Sequence, residues 1–418
     1  MDNITHTLIG TLVGEVAARA APSDQSNLPA PLRRNLCVTL AAIGSNLPDS
    51  DLLYSFFGGK VNYLLHHRGH THTIVIALLL GAAVMGITRW WLKRRGLQPS
   101  RQDRLLLMGV LLFTPLLHIG MDFTNNYGVH PFWPLNDHWF YGDSVFIIEP
   151  LFWAACAPLA VIFRTRVTQF VMLFLLAAAI GLCLFTGLVP HAIAVAYSVV
   201  VAAMLFLGRK APAKVALAAG VALWLGATLM FVLGAQIARS RVDAAVTQQF
   251  PGSELLDRIV TPMPTNPLCW EVVTVEREGG NATVRRAMLA LTPSLLPVDR
   301  CLSRSHDLAI SAPLIPVTAG ASDKELQWHG QVSTPVEQLR SAAKTNCEAA
   351  AALRFIRAPW LAMVDGELVL GDLRYDFEPE LSFAEIAIND DPKCPPFVPS
   401  WREPRHDLLS SSPQGSSD

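Results

Sequence analysis

The stretch HHRGHTHTIVIALLLGAAVMGITRWWLKRRGLQPSRQDRLLLMGVLLFTPLLHIGMDFTNN, residues 66–126, decides the architecture. Its two apolar runs, roughly 74–92 and 105–121, approach the about 20 residues that a bilayer-crossing helix needs. The loop between them carries Lys93, Arg94, Arg95, Arg101 and Arg104, which predicts a cytoplasmic turn. At the opposite ends stand His66, His67, His70 and His72, then His118 and Asp122. Ligating or charged groups beside spanning segments are expensive, so each is a candidate functional residue.

Further apolar runs lie at about 145–163, 167–186, 190–207 and 214–237, with weaker ones at 4–20 and 36–56. Together they predict a mainly α polytopic bundle of about 7–8 spans. Only 16% of the 418 residues are charged, below the roughly one quarter usual in soluble proteins. The net charge of −1 gives no field to attract nucleic acid, so none is expected as a partner. The N-terminal MDNITHTLIG lacks a basic n-region and does not read as a cleaved signal peptide, so Asp2 and His6 are expected to stay.

Arg33, Arg34, Arg164, Arg166, Arg209, Lys210 and Lys214 flank the other runs, whereas 121–144 has no Lys or Arg. Alternating spans then put every basic loop inside, and 57–73, 121–144 and residues 238–418 outside. This predicts a multi-pass protein of a bacterial inner membrane. The same rule places Asp2, His6, Asp49, Asp51, the histidines of 66–72, His118 and Asp122 on one extracytoplasmic face, although four separate segments supply them.

Three pairs, Asp2/His6, His66/His70 and His118/Asp122, stand at i,i+4, which on a helix puts both side chains on one face. Histidine and carboxylate suit zinc and similar divalent cations. Asp2, His6, Asp49, His66, His67, His70, His72, His118 and Asp122 are candidate ligands, enough for one to three ions. Asp2 also reads as a helix cap, and Pro48-Asp49-Ser50-Asp51 as a turn. The segment NNYGVHPFWPLNDHWFYGDSVFIIEP adds Asp143 and Glu149 as ligands or bases, and Asn125 and Asn126 as groups that orient a phosphate or a histidine. Asp49, Asp51 and Glu149 are the candidate proton acceptors, Asp51 and Glu149 being surplus to a closed metal site.

After Arg239 the composition becomes soluble. Residues 269–278 and 281–291 read as strands around Gly279-Gly280, 335–353 as a helix, and 354–364, 367–377 and 381–389 as strands, the first two joined at Asp365-Gly366. Cys269, Cys301, Cys347 and Cys394 allow two disulfides in three connectivities, which suits an oxidising compartment. The domains expected are a site-bearing part at 1–150, further helices at 151–238, an extracytoplasmic α+β domain at 239–394 and a disordered tail at 395–418.

The order MDNITHTLIG, SNLPDSD, HHRGHTHT and HxxxD, followed by an aromatic segment with HPFWP and YGD, resembles the YdjM-like family of membrane-bound metal-dependent hydrolases over about 1–150. That family is distantly similar to zinc-dependent phospholipase C and the S1/P1 nucleases. The resemblance implies His6, Asp49, His70, His118 and Asp122 as ligands and metal-assisted hydrolysis as the activity. The expected substrate is a lipid phosphodiester or another membrane-associated ester, attacked by metal-activated water. The rival readings are a metal transporter and a non-catalytic protein in which the metal staples the bundle.

Overall fold

The computed structural model describes residues 1–22, 24–55, 57, 59–301, 310–317, 324–378 and 380–410. Helix α1 (Asn3–Ala20) begins where the Asp2 carboxylate accepts from the Thr5 N–H at 2.9 Å, an N-cap that satisfies one orphan donor of the first turn. It lies against α2 (Ala30–Gly44) because Gly14 leaves room: a Cβ there would meet the Cys37 carbonyl oxygen at 2.7 Å. The run 36–56 is not one helix. It stops at Gly44, and a 3₁₀ turn over Pro48–Asp51 leads to α3 (Leu52–Ser55) and α4 (Gly59–His66). Pro48 has no N–H with which to continue a helical ladder.

The quoted stretch forms a hairpin of α5 (Ile74–Arg94) and α6 (Arg101–Phe123), capped by Thr73 and by a Ser100–Asp103 capping box. The expected span at 145–163 is broken into α7 (Pro150–Ala155) and α8 (Leu159–Ile162), with Pro158 between them. Then come α9 (Arg166–Phe185), α10 (His191–Lys210) and α11 (Ala213–Gln249). Among the described residues five helices, α5, α6, α9, α10 and α11, are long and apolar enough to cross a membrane, fewer than the expected 7–8.

Helix α11 has 37 residues, or about 55 Å, well beyond the ~30 Å of a hydrocarbon core. Its second half therefore serves as the stem of the C-terminal domain, with Gly234 against the Trp270 ring and Arg241 paired with Glu325.

That domain carries an antiparallel sheet in the order β1 (Glu254–Met263), β2 (Asn266–Glu278), β3 (Asn281–Ala290), β4 (Leu326–Pro335). Helices α12 (Val336–Thr345) and α13 (Cys347–Ala352) lead to a second antiparallel sheet of β5 (Pro359–Val364), β6 (Glu367–Asp372) and β7 (Glu385–Ala387). Asp365 (φ 51°) and Gly366 (φ 88°) make the tight β5–β6 turn that the Asp-Gly pair predicts. Disulfides join Cys269 to Cys301 and Cys347 to Cys394, one of the three open connectivities.

Residues 395–410 are not a free tail. The chain closes with α14 (His406–Leu409), and Trp401 is fully buried, its Nε1 donating to the Leu65 carbonyl at 2.9 Å. Burial of a whole indole outweighs the Pro- and Ser-rich composition around it. Residues 411–418 of the expected disordered tail lie outside the described residues. Arg357 ties the two halves together, giving two bonds to Asp143 at 2.8 and 2.9 Å and two to Asp257 at 2.7 and 3.0 Å.

Candidate metal centre

The elements around residues 44–72 exist to turn the chain, and their turns aim side chains at one point. Asp49 and Asp51 sit in the 3₁₀ turn after α2. The chain leaves α4 at His66 and reverses at Arg68, whose φ of 59° is a left-handed value uncommon for a residue with a side chain. Asp51 holds that reversal: Oδ2 accepts from the Arg68 N–H at 2.9 Å and from Thr71 Oγ1 at 2.8 Å. His72 then points inward from the turn before α5, and His118 and Asp122 point inward from the last turns of α6.

Four donor atoms meet there. His72 Nε2 lies 3.1 Å from His118 Nε2, 3.2 Å from Asp122 Oδ2 and 3.4 Å from Asp49 Oδ1. His118 Nε2 lies 3.3 Å from Asp122 Oδ2 and 3.5 Å from Asp49 Oδ1. A tetrahedral ion with bonds of about 2.0–2.1 Å spaces its donors at about 3.3 Å. The donor set therefore fits a zinc-sized ion, and the cluster could hold a metal.

The second nitrogens are anchored as a metal site requires. His118 Nδ1 donates to the Ser45 carbonyl at 2.7 Å, and His72 Nδ1 donates to Asp51 Oδ2 at 3.1 Å. Each tether fixes the tautomer that leaves Nε2 with its lone pair toward the centre.

Charge points the same way. Asp49, Asp51 and Asp122 are buried. Arg68, itself buried, offsets part of this charge, its Nε lying 3.0 Å from Asp122 Oδ2. The Met1 amine donates to Asp122 Oδ1. A buried charge needs a partner or a metal. Burial alone would raise the Asp51 carboxyl, yet His72 and the hydrogen bonds from His67 and His72 hold it below the usual carboxylate range.

A second group shares a residue with the first. Asp49, Asp51 and His67 also bring one donor each within 4.8 Å of one another, with His67 Nδ1 at 3.2 Å from Asp51 Oδ1. Asp49 thus stands between two donor sets. The second set borders a cavity of about 470 Å³ whose walls include Asp2, Asp49, His67 and Arg68.

The remaining candidates go elsewhere. Asp2 is the α1 cap. His6 stands behind the cluster, its Nε2 3.1 Å from Asp122 Oδ1 and its ring stacked on His118 at 3.7 Å. His66 stacks on Phe397, and His70 packs between Trp133 and Trp401. His66 and His70 do not share a helical face, because α4 ends at His66; the turn makes His72, not His70, the inward residue. Glu149, the other candidate base, lies apart from both donor sets and caps α7, its carboxylate accepting from the N–H groups of Leu151 at 3.0 Å and Thr265 at 3.1 Å as a backbone tie. Asp143 pairs with Arg357. Asn125 accepts from Arg68 at 2.7 Å, and Asn126 donates to Thr261 at 2.9 Å.

Arg68 and the Ser45 carbonyl were not legible as parts of a site. The only signal was an arginine inside a histidine run.

Residues 1–194 match the model of the YdjM inner membrane protein family. The YdjM match contains every donor of both sets and ends within α10, so the C-terminal domain lies beyond it. With its apolar helices, the match makes this a membrane protein. Comparison with curated proteins and with solved structures found no match.

Proposed function

We propose that the protein is a membrane-bound, metal-dependent hydrolase that cleaves a phosphodiester or a similar lipid-like ester. The observation that carries this reading is the pair of donor sets sharing Asp49, the second of which has three protein donors and faces a cavity. Divalent ions held there, zinc by the donor chemistry, would supply an activated water and stabilise developing oxyanions. The residues of the chain do the rest. Asp51 and Ser45 hold the imidazoles in register, and Arg68 balances Asp122. Asp49 keeps its second oxygen on Asn3 Nδ2 at 2.8 Å, which fixes the plane of the shared carboxylate.

The test is elemental analysis of purified protein together with a phosphodiesterase screen. Metal-dependent turnover that is lost on chelation and restored on metal addition is the expected result. Bound metal without turnover on any lipid or nucleotide diester would favour a second reading, an ion that staples α6 to the turns at 48–51 and 70–72. Four protein donors around one point are what a structural ion uses.

We place the site on the extracytoplasmic face. Arg19 and Lys214 line one groove while Leu188 lines the cavity beside Asp49, so the basic helix ends lie away from the cluster. Two disulfides in the C-terminal domain suit the same side. Reporters fused after Leu97 should read cytoplasmic, and those after Gly128 extracytoplasmic; the reverse pattern would overturn the placement.

A further inference from the structure

The cavity beside the second donor set has two builders. One wall comes from the N-terminal part, with Asp49, His67 and the segment Val145–Ile147. The other comes from the C-terminal domain, through the β1–β2 turn at Met263 and Pro264 and, between β6 and β7, Arg374, Tyr375, Phe377, Glu378, Ser382 and Phe383. Its volume of about 470 Å³ is in the range of small-ligand sites.

Near the donors the cavity walls are Asp2, Asp49, His67 and Arg68; Val145, Phe146, Ile147 and Leu188 form an apolar end, and the C-terminal wall mixes Met263 and Pro264 with Thr261, Glu271, Arg374 and Glu378. Leu188 fixes where that apolar end lies. It belongs to the five-residue connection between α9 and α10, two helices long and apolar enough to cross the membrane. The connection between two such helices marks the level at which the bilayer ends, so the apolar end of the cavity opens at the lipid boundary. Ile147 and Ile148 stand there 42% and 41% exposed, and Phe185 at the end of α9 is 86% exposed. Contact with lipid would remove that apolar surface from water.

The cations within the cavity are already engaged. Arg374 is held by Asp372, the Asn126 carbonyl and the Phe355 carbonyl, and Arg68 by Asp122 and Asn125. The donor sets are themselves rich in carboxylates, so affinity for an anionic headgroup would come from a divalent ion held by them, and the rest of the binding from the apolar wall.

We propose that this cavity seats a phospholipid whose acyl chain enters sideways from the bilayer between Ile147 and Leu188. The chain lies against Phe146, Met263 and Pro264, and the phosphoester reaches Asp49 and His67. The C-terminal domain is the roof of that seat, which gives a binding role to the part of the chain outside the family match. The inference rests on the hydrolase reading only for what happens at the donors.

The experiment is photo-crosslinking of the full-length protein in phosphatidylcholine vesicles that contain a phospholipid with a diazirine on its acyl chain. Adducts are mapped by mass spectrometry, and cleavage of the same lipid is followed in parallel with added zinc. Adducts within 145–148, at Leu188 and at Met263 are expected. Ile147→Trp, tolerable because the position is half-exposed, should reduce the Met263 adduct about tenfold, as expected when bulk obstructs an apolar pocket. Adducts confined to outward side chains such as Phe174 and Val199 would overturn the seat, even if cleavage occurs. Cavity adducts without cleavage of this lipid, together with no turnover in the phosphodiesterase screen, would support the seat and overturn the hydrolase reading alone.

Discussion

Asp257, Asp372 and Glu276 of the C-terminal domain each face a guanidinium, from Arg357, Arg374 and Arg285. Asp49 and Asp51 of the N-terminal cluster face imidazoles instead, and Asp122 faces three of them, from His6, His72 and His118, beside Arg68 and the Met1 amine. Both regions bury their carboxylates, but the first gives each of these three a guanidinium, whereas in the cluster Arg68 and the Met1 amine both go to Asp122 and leave Asp49 and Asp51 to imidazoles. An imidazole that presents a lone pair is neutral, so a divalent ion at the cluster would supply the charge that guanidinium groups supply in the C-terminal domain. A buried acid by itself therefore says little about function; the identity of its nearest nitrogen says more.

The sharpest break in that contrast is His118→Ala. It removes one of the four converging donors and should lower metal affinity by more than about 100-fold, beyond the 10–100-fold typical of an outer-shell partner. Elemental analysis after dialysis reads it, and full occupancy would show that the centre is not here.

On the guanidinium side, Arg357→Ala leaves Asp143 and Asp257 buried without their partner. It should cost about 3–5 kcal/mol in denaturant unfolding of the full-length protein. A cost under about 1 kcal/mol would mean that this region, too, is not balanced as described.

Cys347→Ser opens the Cys347–Cys394 link that pins the segment leading to Trp401. A loss of roughly 2–4 kcal/mol is expected, seen as faster proteolysis of residues after 394. Unchanged protease resistance would show that the Trp401 anchor suffices alone.

Asp51→Asn keeps shape but loses the charge that orients His72. If Asp51 positions the imidazole, metal affinity and turnover should both fall about 10–100-fold. A general base would instead lose about 10²–10⁴-fold in turnover with metal retained. The split between occupancy and rate decides which role the carboxylate plays.

The smallest effect is one of pH. Glu385 in the C-terminal domain is buried, and burial together with nearby Asp376 pushes its carboxyl up to about 7 from an ordinary 4.5. With the folded value above the unfolded one, the stability it confers is full below about 4.5 and is lost as pH rises through about 7. Thermal unfolding between pH 5 and 8 should show this fall, and Glu385→Gln should flatten it. An unaltered slope in the variant would assign the titration to another group.

Much of this was written along the chain. Apolar runs bounded by arginines gave α5, α6, α9, α10 and α11, because a helix in lipid must be apolar around most of its circumference and long enough to cross. Asp365-Gly366 gave a hairpin, because few other pairs accept two positive φ values. His118 and Asp122 were legible as a pair because α6 is a regular helix, where four residues make one turn.

Residues 145–163 and 36–56 were misread for one reason: average apolarity does not register where Pro158 and Pro48 interrupt the ladder. Strands β1 and β4 went unread because their partners lie in the sheet and not in the local pattern. The choice of His72 over His70 was not in the sequence at all. It depends on the reversal at Arg68, which Asp51 stabilises from 17 residues away. The roles of Glu149 and Asp51 were equally hidden, since a carboxylate becomes a cap, a tether or a base according to what surrounds it. Composition and spacing thus determined a membrane protein with an Asp/His cluster at one end of its helices. Tertiary structure alone decided which four donors meet, because donor geometry is set to a few tenths of an ångström by turns whose partners are remote in sequence.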